Sequence, residues 1–119
     1  MNKKHALIVD DEPFIRATLR EELPHLGLVV HEASNGEEAV HVLQKERIDI
    51  VITDIKMPVK DGFYVLNYIA ENKLEHIVTF VCSGYHETED EKIVDYSIAE
   101  VFKKPFDLLV FLDVLKKYL

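Results

Sequence analysis

Tryptophan is absent, cysteine occurs once, and glycine and proline occur four times each in 119 residues. The single Cys82 has no partner for a disulfide within the chain, and its apolar setting reads as a buried reduced thiol rather than a redox centre. So little glycine and proline excludes a collagenous or low-complexity chain. Basic residues are also scarce: 14 Lys and Arg against 22 Asp and Glu leave a formal charge of −8. Nucleic acid and anionic membranes are polyanions, so an acidic chain without a basic stripe is not expected to bind either directly. Long apolar runs are missing too. After the basic start only Ala6 to Val9 are apolar before two aspartates arrive, too short for a signal peptide or a membrane span. The cytosol is the expected compartment. What remains is 48% hydrophobic and 30% charged residues without a linker or repeat, expected to form one domain over residues 1–119 with no output domain in this chain.

The stretch from Ile48 to Gly62, IDIVITDIKMPVKDG, organises the chain. Ile48 to Thr53 are largely apolar and β-branched, the pattern of a strand buried on both faces of a parallel sheet. The run stops at Asp54, whose natural place is the carboxyl end of the strand, where open α/β sheets put their ligand crevices. Met57-Pro58 and Asp61-Gly62 read as turn residues, with Gly62 allowing a positive φ. Asp54 is thereby presented at a rim.

The remaining segments repeat this plan. Ala6 to Val9 form a strand that ends in Asp10-Asp11-Glu12, and Pro13 then suits the first turn of a helix carrying Ile15, Leu19 and Leu23 inward until Pro24 to Gly27. Leu28 to Val30 form a second strand. Ser34-Asn35-Gly36 cap a helix that faces Ala39, Val40 and Leu43 inward and runs to Glu46. A third helix over Phe63–Glu71 buries Phe63, Leu66 and Ile69, Ile77 to Cys82 return as a strand ending at Ser83-Gly84, and His86 to Ser97 are expected as a fourth helix. Ala99 to Phe102 give a fifth strand, and Phe106 to Tyr118 the last helix. Five strands alternating with five helices define a doubly wound parallel sheet of α/β class.

Its carboxyl edge gathers Asp10, Asp11, Asp54, Ser83 and Lys104. Three carboxylates within a few ångströms repel one another by a few kcal/mol at an effective dielectric near 20, so the cluster calls for a cation. An oxygen-only rim suits Mg²⁺, which completes its shell with water and phosphate oxygens. The Ser83 hydroxyl and Lys104 ammonium suit a phosphoryl group.

Asp10-Asp11, Asp54 with Met57-Pro58 and Asp61-Gly62, Ser83-Gly84, and Lys104-Pro105-Phe106 together resemble the receiver domain of two-component response regulators, over essentially the whole chain. The resemblance implies the (βα)5 flavodoxin/CheY-like fold with strand order 2-1-3-4-5. It also implies that Asp54 accepts phosphate from a partner histidine and loses it to water. The implied Mg²⁺ ligands are Asp11, Asp54 and the main-chain carbonyl of Lys56, with Asp10 acting through a metal-bound water. Ser83 and Lys104 would engage the phosphoryl oxygens, and Lys104-Pro105 would be a cis peptide. The implied partners are a sensor histidine kinase or histidine phosphotransfer protein, and an output domain, a downstream protein or a second copy at the face of the fourth helix, fifth strand and last helix. Such a protein phosphorylates and dephosphorylates itself rather than turning over a substrate. The alternative is a receiver-like binding module that acts by contact alone; a haloacid dehalogenase-like phosphatase would need an Asp-x-Asp pair that neither Asp10-Asp11 nor Asp54-Ile55-Lys56 provides.

Several residues depart from the family pattern. Val101 stands where the family carries Tyr or Phe, and alternation points Phe102 into the core, so the signal is expected in backbone and helix movement. Lys56 and Tyr85 flank the expected phosphoryl and are expected to impede an attacking water. Leu108 to Leu112, Val114, Leu115 and Tyr118 cover more than one face of the last helix, so Val110 and Val114 are expected either on a partner surface or beneath the fourth helix. Asp61-Gly62 reads as a structural turn, the six histidines as surface residues, and Phe14 as core packing more readily than donor docking.

Overall fold

The computed structural model describes residues 3–84 and 93–119. Its elements in chain order are β1 (His5–Val9), α1 (Pro13–Glu22), a 3₁₀ turn (Leu23–Leu26), β2 (Val29–Ala33), α2 (Gly36–Lys45), β3 (Ile50–Asp54), α3 (Gly62–Glu71), β4 (Val78–Ser83), β5 (Glu100–Lys103) and α4 (Leu108–Lys116). All strand pairings are parallel, in the order β2-β1-β3-β4-β5. Most of the helix expected over His86–Ser97 lies outside the described residues, so α4 here is the expected last helix.

Both faces of the sheet are covered, which is why β1 and β3 read as unbroken apolar runs. Alternate residues serve opposite layers. Ala6, Ile8, Ile50, Ile52, Phe80 and Cys82 pack with Leu19 and Leu23 from the α1 side and with Phe111 and Leu115 of α4. Leu7, Val9 and Val51 pack with Ala39 of α2 and Val65 of α3. Val65 is fully buried, whereas Phe63 and Ile69, expected as core residues of that helix, are half-buried. Ile55, Leu66, Val81 and Ile93 form a third cluster flanked by Phe63 and Tyr96. Phe14, expected in the core, is instead 80% exposed.

Helix starts follow local chemistry. Pro13 opens α1, Asn35 accepts from the Glu38 amide at 2.9 Å, Asp61 accepts from the Tyr64 amide at 3.2 Å, and Asp107 accepts from Leu109 and Val110. Pro24 turns the end of α1 into a 3₁₀ turn, closed by Gly27 at φ 83°. The positive φ expected at Gly62 is absent. Gly62 opens α3, and it is Val59 that takes the left-handed conformation, at φ 69°.

The second strand runs three residues beyond its expected end at Val30. It lies on the sheet edge, where polar side chains find partners: Glu32 pairs with Arg16 and Arg20, and His31 meets the ring of His5 at an N···N distance of 2.9 Å. These two histidines are therefore a half-buried pair rather than isolated surface residues. Burial, and then the neighbouring His5, lowers the His31 pKa from 6.5 against the pull of Glu46. The unfolded chain then takes up this proton first, so stability is complete above pH 6.5 and declines as pH falls through that value. A urea midpoint measured across this range should fall, and it should fall less in His31→Asn.

Candidate acidic site at the carboxyl edge

Because the strands are parallel and in register, their carboxyl ends deliver one residue each to a shared rim. Asp10 follows β1, Asp54 ends β3 and Ser83 ends β4. Lys104 follows β5 and is tied back by its amide, which donates to the Ser83 carbonyl at 2.7 Å; the Lys104-Pro105 peptide is cis.

Carboxylate oxygens of Asp10, Asp11 and Asp54 all lie within 4.8 Å of one another. Asp10 and Asp54 are buried and Asp11 is exposed. The Lys104 ammonium bridges the two buried acids, donating to Asp10 Oδ2 at 2.8 Å and to Asp54 Oδ2 at 2.9 Å, with Glu12 Oε1 at 3.5 Å. The remaining oxygens take main-chain donors, Asp10 Oδ1 from Glu12 N–H at 2.9 Å and Asp54 Oδ1 from Ile55 N–H at 2.7 Å. Burial pushes the Asp54 pKa up, and the Lys104 hydrogen bond and charge pull against it. Burial opposes the charge on Lys104, but its bonds to Asp10 and Asp54 outweigh that effect and raise its pKa above 10.5. Burial also pushes Cys82, paired with Asp54 in the neighbouring strand, up to about 12; this keeps it a protonated, unreactive thiol.

Two features point to ligands. The exposed Asp11, with Lys56, Met57 and Asp61, lines an open cleft, and its carboxylate lies close to those of Asp10 and Asp54, a cluster of oxygen donors of the kind a hard divalent cation requires. Ser83 is fully buried, and its Oγ has no hydrogen-bond partner among the described residues. An orphaned hydroxyl on the residue whose carbonyl holds the Lys104 amide suits an incoming oxyanion.

The structure thus brings together Asp10, Asp11, Asp54, Ser83 and Lys104, and Lys56 lies in the loop after Asp54, along the same cleft. Tyr85 lies outside the described residues. Val101 is 41% exposed, while Phe102 packs on Phe80, Phe106 and Phe111. On α4, Val110 is 57% and Leu109 73% exposed, and Val114 is half-buried. Arg16, outside the Ile15, Leu19 and Leu23 stripe of α1, makes an inward contact that the sequence does not announce: Arg16 Nη1 donates to the Asp10 carbonyl at 2.5 Å. Helical spacing gives no sign of it, since the acceptor is main chain six residues earlier.

A five-stranded parallel sheet with an acidic rim and a bridging lysine defines a class, and comparison with known proteins narrows it. A model described as the response regulator receiver domain matches residues 6–116. Sporulation initiation phosphotransferase F of Bacillus subtilis is 35% identical over 120 residues, covering 100% of this chain and 95% of that protein. The sensor histidine kinase RcsC of Escherichia coli is 34% identical over 113 residues, 95% of this chain but only 12% of that protein. The response regulator TrrA of Thermotoga maritima, solved in complex with Mg²⁺-BeF, matches with a TM-score of 0.83 at 32% identity over 98% of this chain and 99% of that one. The receiver domain of AraT from Geobacillus stearothermophilus matches with 0.85 at 31% over 98% and 92%. The chain belongs to the response regulator receiver domain family and is a phosphoaccepting receiver domain of two-component and phosphorelay signalling. No helix among the described residues is long and apolar enough to cross a membrane.

Proposed function

We propose that Asp54 is the phosphoacceptor, and that residues 1–119 act as a single receiver unit. The observation that carries this reading is the conjunction of three clustered carboxylates with a bridging Lys104 and an orphaned Ser83 hydroxyl. A carboxylate oxygen of Asp54 attacks phosphorus as the bond to the donor imidazole breaks, giving an acyl phosphate. Lys104 holds Asp54 ionised beforehand and meets the new phosphoryl oxygens afterwards, and Ser83 donates its hydroxyl to them. Asp11, Asp54 and the Lys56 carbonyl would hold Mg²⁺, with Asp10 acting through water; the ion would neutralise charge on the phosphoryl oxygens. The donor is a phosphohistidine on a sensor histidine kinase or histidine phosphotransfer protein, and the exposed Phe14 beside Pro105 and Phe106 offers it an apolar contact. The added charge shifts the face of the expected fourth helix, β5 and α4, and the partner at that face is a downstream protein, an output domain or a second copy. Sedimentation that stays monomeric with and without phosphorylation would remove the second copy.

Intact mass after incubation with acetyl phosphate tests the reading. A single adduct is expected with Mg²⁺, and none with chelator or in Asp54→Ala. No adduct from acetyl phosphate or from any phosphohistidine donor would leave a module that acts by contact alone. Ser83→Ala separates stability from function. Removing an orphaned buried hydroxyl should raise the stability of the unphosphorylated chain by about 1 kcal/mol, seen as a higher urea midpoint, while slowing adduct formation. Standing two residues after Asp54 and Ser83 in the sequence, Lys56 and Tyr85 are proposed to impede an attacking water. The double variant Lys56→Asn, Tyr85→Ala should lose its adduct faster, and unchanged decay would refute the shielding.

A further inference from the structure

We infer that Arg16 is a positioning residue for the acidic pair, setting the affinity of the site for Mg²⁺ without touching the ion; the inference rests on the proposed metal site. Asp10 is held at every polar atom. Its amide donates to the Ala33 carbonyl at 3.1 Å, Oδ1 accepts from Glu12 N–H, Oδ2 accepts from Lys104, and its carbonyl accepts from Arg16 Nη1 at 2.5 Å. The carbonyl contact matters most for the neighbour. That carbonyl belongs to the peptide plane linking Asp10 to Asp11, so fixing it fixes where the backbone places Asp11, the one exposed carboxylate of the cluster.

Arg16 can act as such a strut because it is itself anchored. Its Nε lies 3.5 Å from Glu32 Oε1 on β2, and the two side chains are only 20% and 28% exposed. A guanidinium can hold a carboxylate with one edge and a carbonyl with another, which a lysine ammonium on a flexible stem cannot do with the same geometry. Glu32 also answers a charge problem. An unpaired cation beside the acids would repel Mg²⁺; Glu32, which Arg16 shares with Arg20, and Glu38, on which Arg16 acts electrostatically, oppose that charge. Outer partners that orient metal ligands commonly govern metal affinity by tenfold or more.

The two roles open to an arginine here predict opposite signs. As a nearby charge, Arg16 would weaken Mg²⁺ binding and its removal would tighten it. As a strut, its removal weakens binding. The test is a Mg²⁺ titration of the unphosphorylated chain followed by amide chemical shifts, on wild type, Arg16→Met and Arg16→Lys. Arg16→Met should raise the Mg²⁺ dissociation constant about tenfold, and adduct formation from acetyl phosphate should recover at saturating Mg²⁺. Arg16→Lys keeps the charge but not the planar fork, so it should raise the constant by a smaller factor as a strut and leave it unchanged as a charge; it carries the test if Arg16→Met does not fold. Unchanged or tighter binding in the folded variants overturns the positioning role while leaving the metal site intact. Failure of wild type to bind Mg²⁺ overturns the metal site and this inference together.

Discussion

Lys104→Met will cut phosphoryl transfer to Asp54 by about 10²–10³-fold, the range seen when one donor to a developing oxyanion is lost. It will also move the pH dependence of transfer upward. Burial alone raises the Asp54 pKa, and the Lys104 hydrogen bond and charge are what oppose it, so without them a larger fraction of Asp54 is protonated and inert at neutral pH. The same change destabilises the fold. Lys104 is 14% exposed in its side chain and joins Asp10 and Asp54 at 4% and 9%. Removing one partner of so buried a set costs about 3 kcal/mol. The sign follows from the raised Lys104 pKa: the stabilisation is fully present below pH 10.5 and is lost as pH rises through the higher folded value. Urea unfolding at neutral pH in chelator should show the full deficit, and Mg²⁺ should narrow it by returning positive charge to the acids. A variant as stable as wild type in chelator, with an unshifted transfer profile, would contradict this account of Lys104.

Gly62→Ala will be among the most damaging single substitutions, although it adds one methyl group at the start of a helix. A Cβ at Gly62 would lie 2.2 Å from the Asp54 carbonyl oxygen and 2.8 Å from the Ile55 Cα. Both are main-chain atoms of the strand end that presents Asp54, and the Gly62 amide donates to the Ile55 carbonyl at 2.8 Å, so the loop cannot retreat without breaking its own closure. Overpacking of this kind costs about 3 kcal/mol, a fall in Tm of more than about 10 °C for a domain of this size. Whatever fraction folds should carry a displaced Asp54 and phosphorylate poorly. Gly84→Ala is the control: a Cβ there meets nothing within 4 Å among the described residues, and its Tm should match wild type. Equal Tm values for the two variants would contradict the packing argument.

These two residues show what could be read in the sequence and what could not. Lys104, Asp54 and Asp10 were legible because each follows a short apolar run, and a parallel sheet carries all such run ends to one edge. The importance of Gly62 was also legible, but for the wrong reason: a turn glycine suggests positive φ, whereas its role is close approach to Asp54. Val59, the residue that takes positive φ, carries no such sign because β-branched residues rarely adopt it. The end of β2 was misjudged because His31 and Glu32 are polar, and only their tertiary partners His5, Arg16 and Arg20 make an edge strand of them. Phe14 was misplaced for the converse reason, an aromatic on a helix that the fold leaves outside. In α4 the apolar surplus was legible but only half of it was placed: Val110 lies outward as expected, whereas Val114 is half-buried and Leu109 is the other exposed residue. Arg16 was invisible, since a side chain that holds a carbonyl leaves no pattern.

The most direct test of the central claim is to find which atom takes the phosphoryl group. The chain is treated with acetyl phosphate and Mg²⁺, then reduced with borohydride, which converts an aspartyl phosphate into homoserine, and sequenced by peptide mass spectrometry. Homoserine at position 54 alone, dependent on Mg²⁺ and on Lys104, is the expected result. Homoserine at position 10 or 11, or a phosphoryl group on a histidine or serine with Asp54 unmodified, would contradict the assignment of Asp54 as the acceptor.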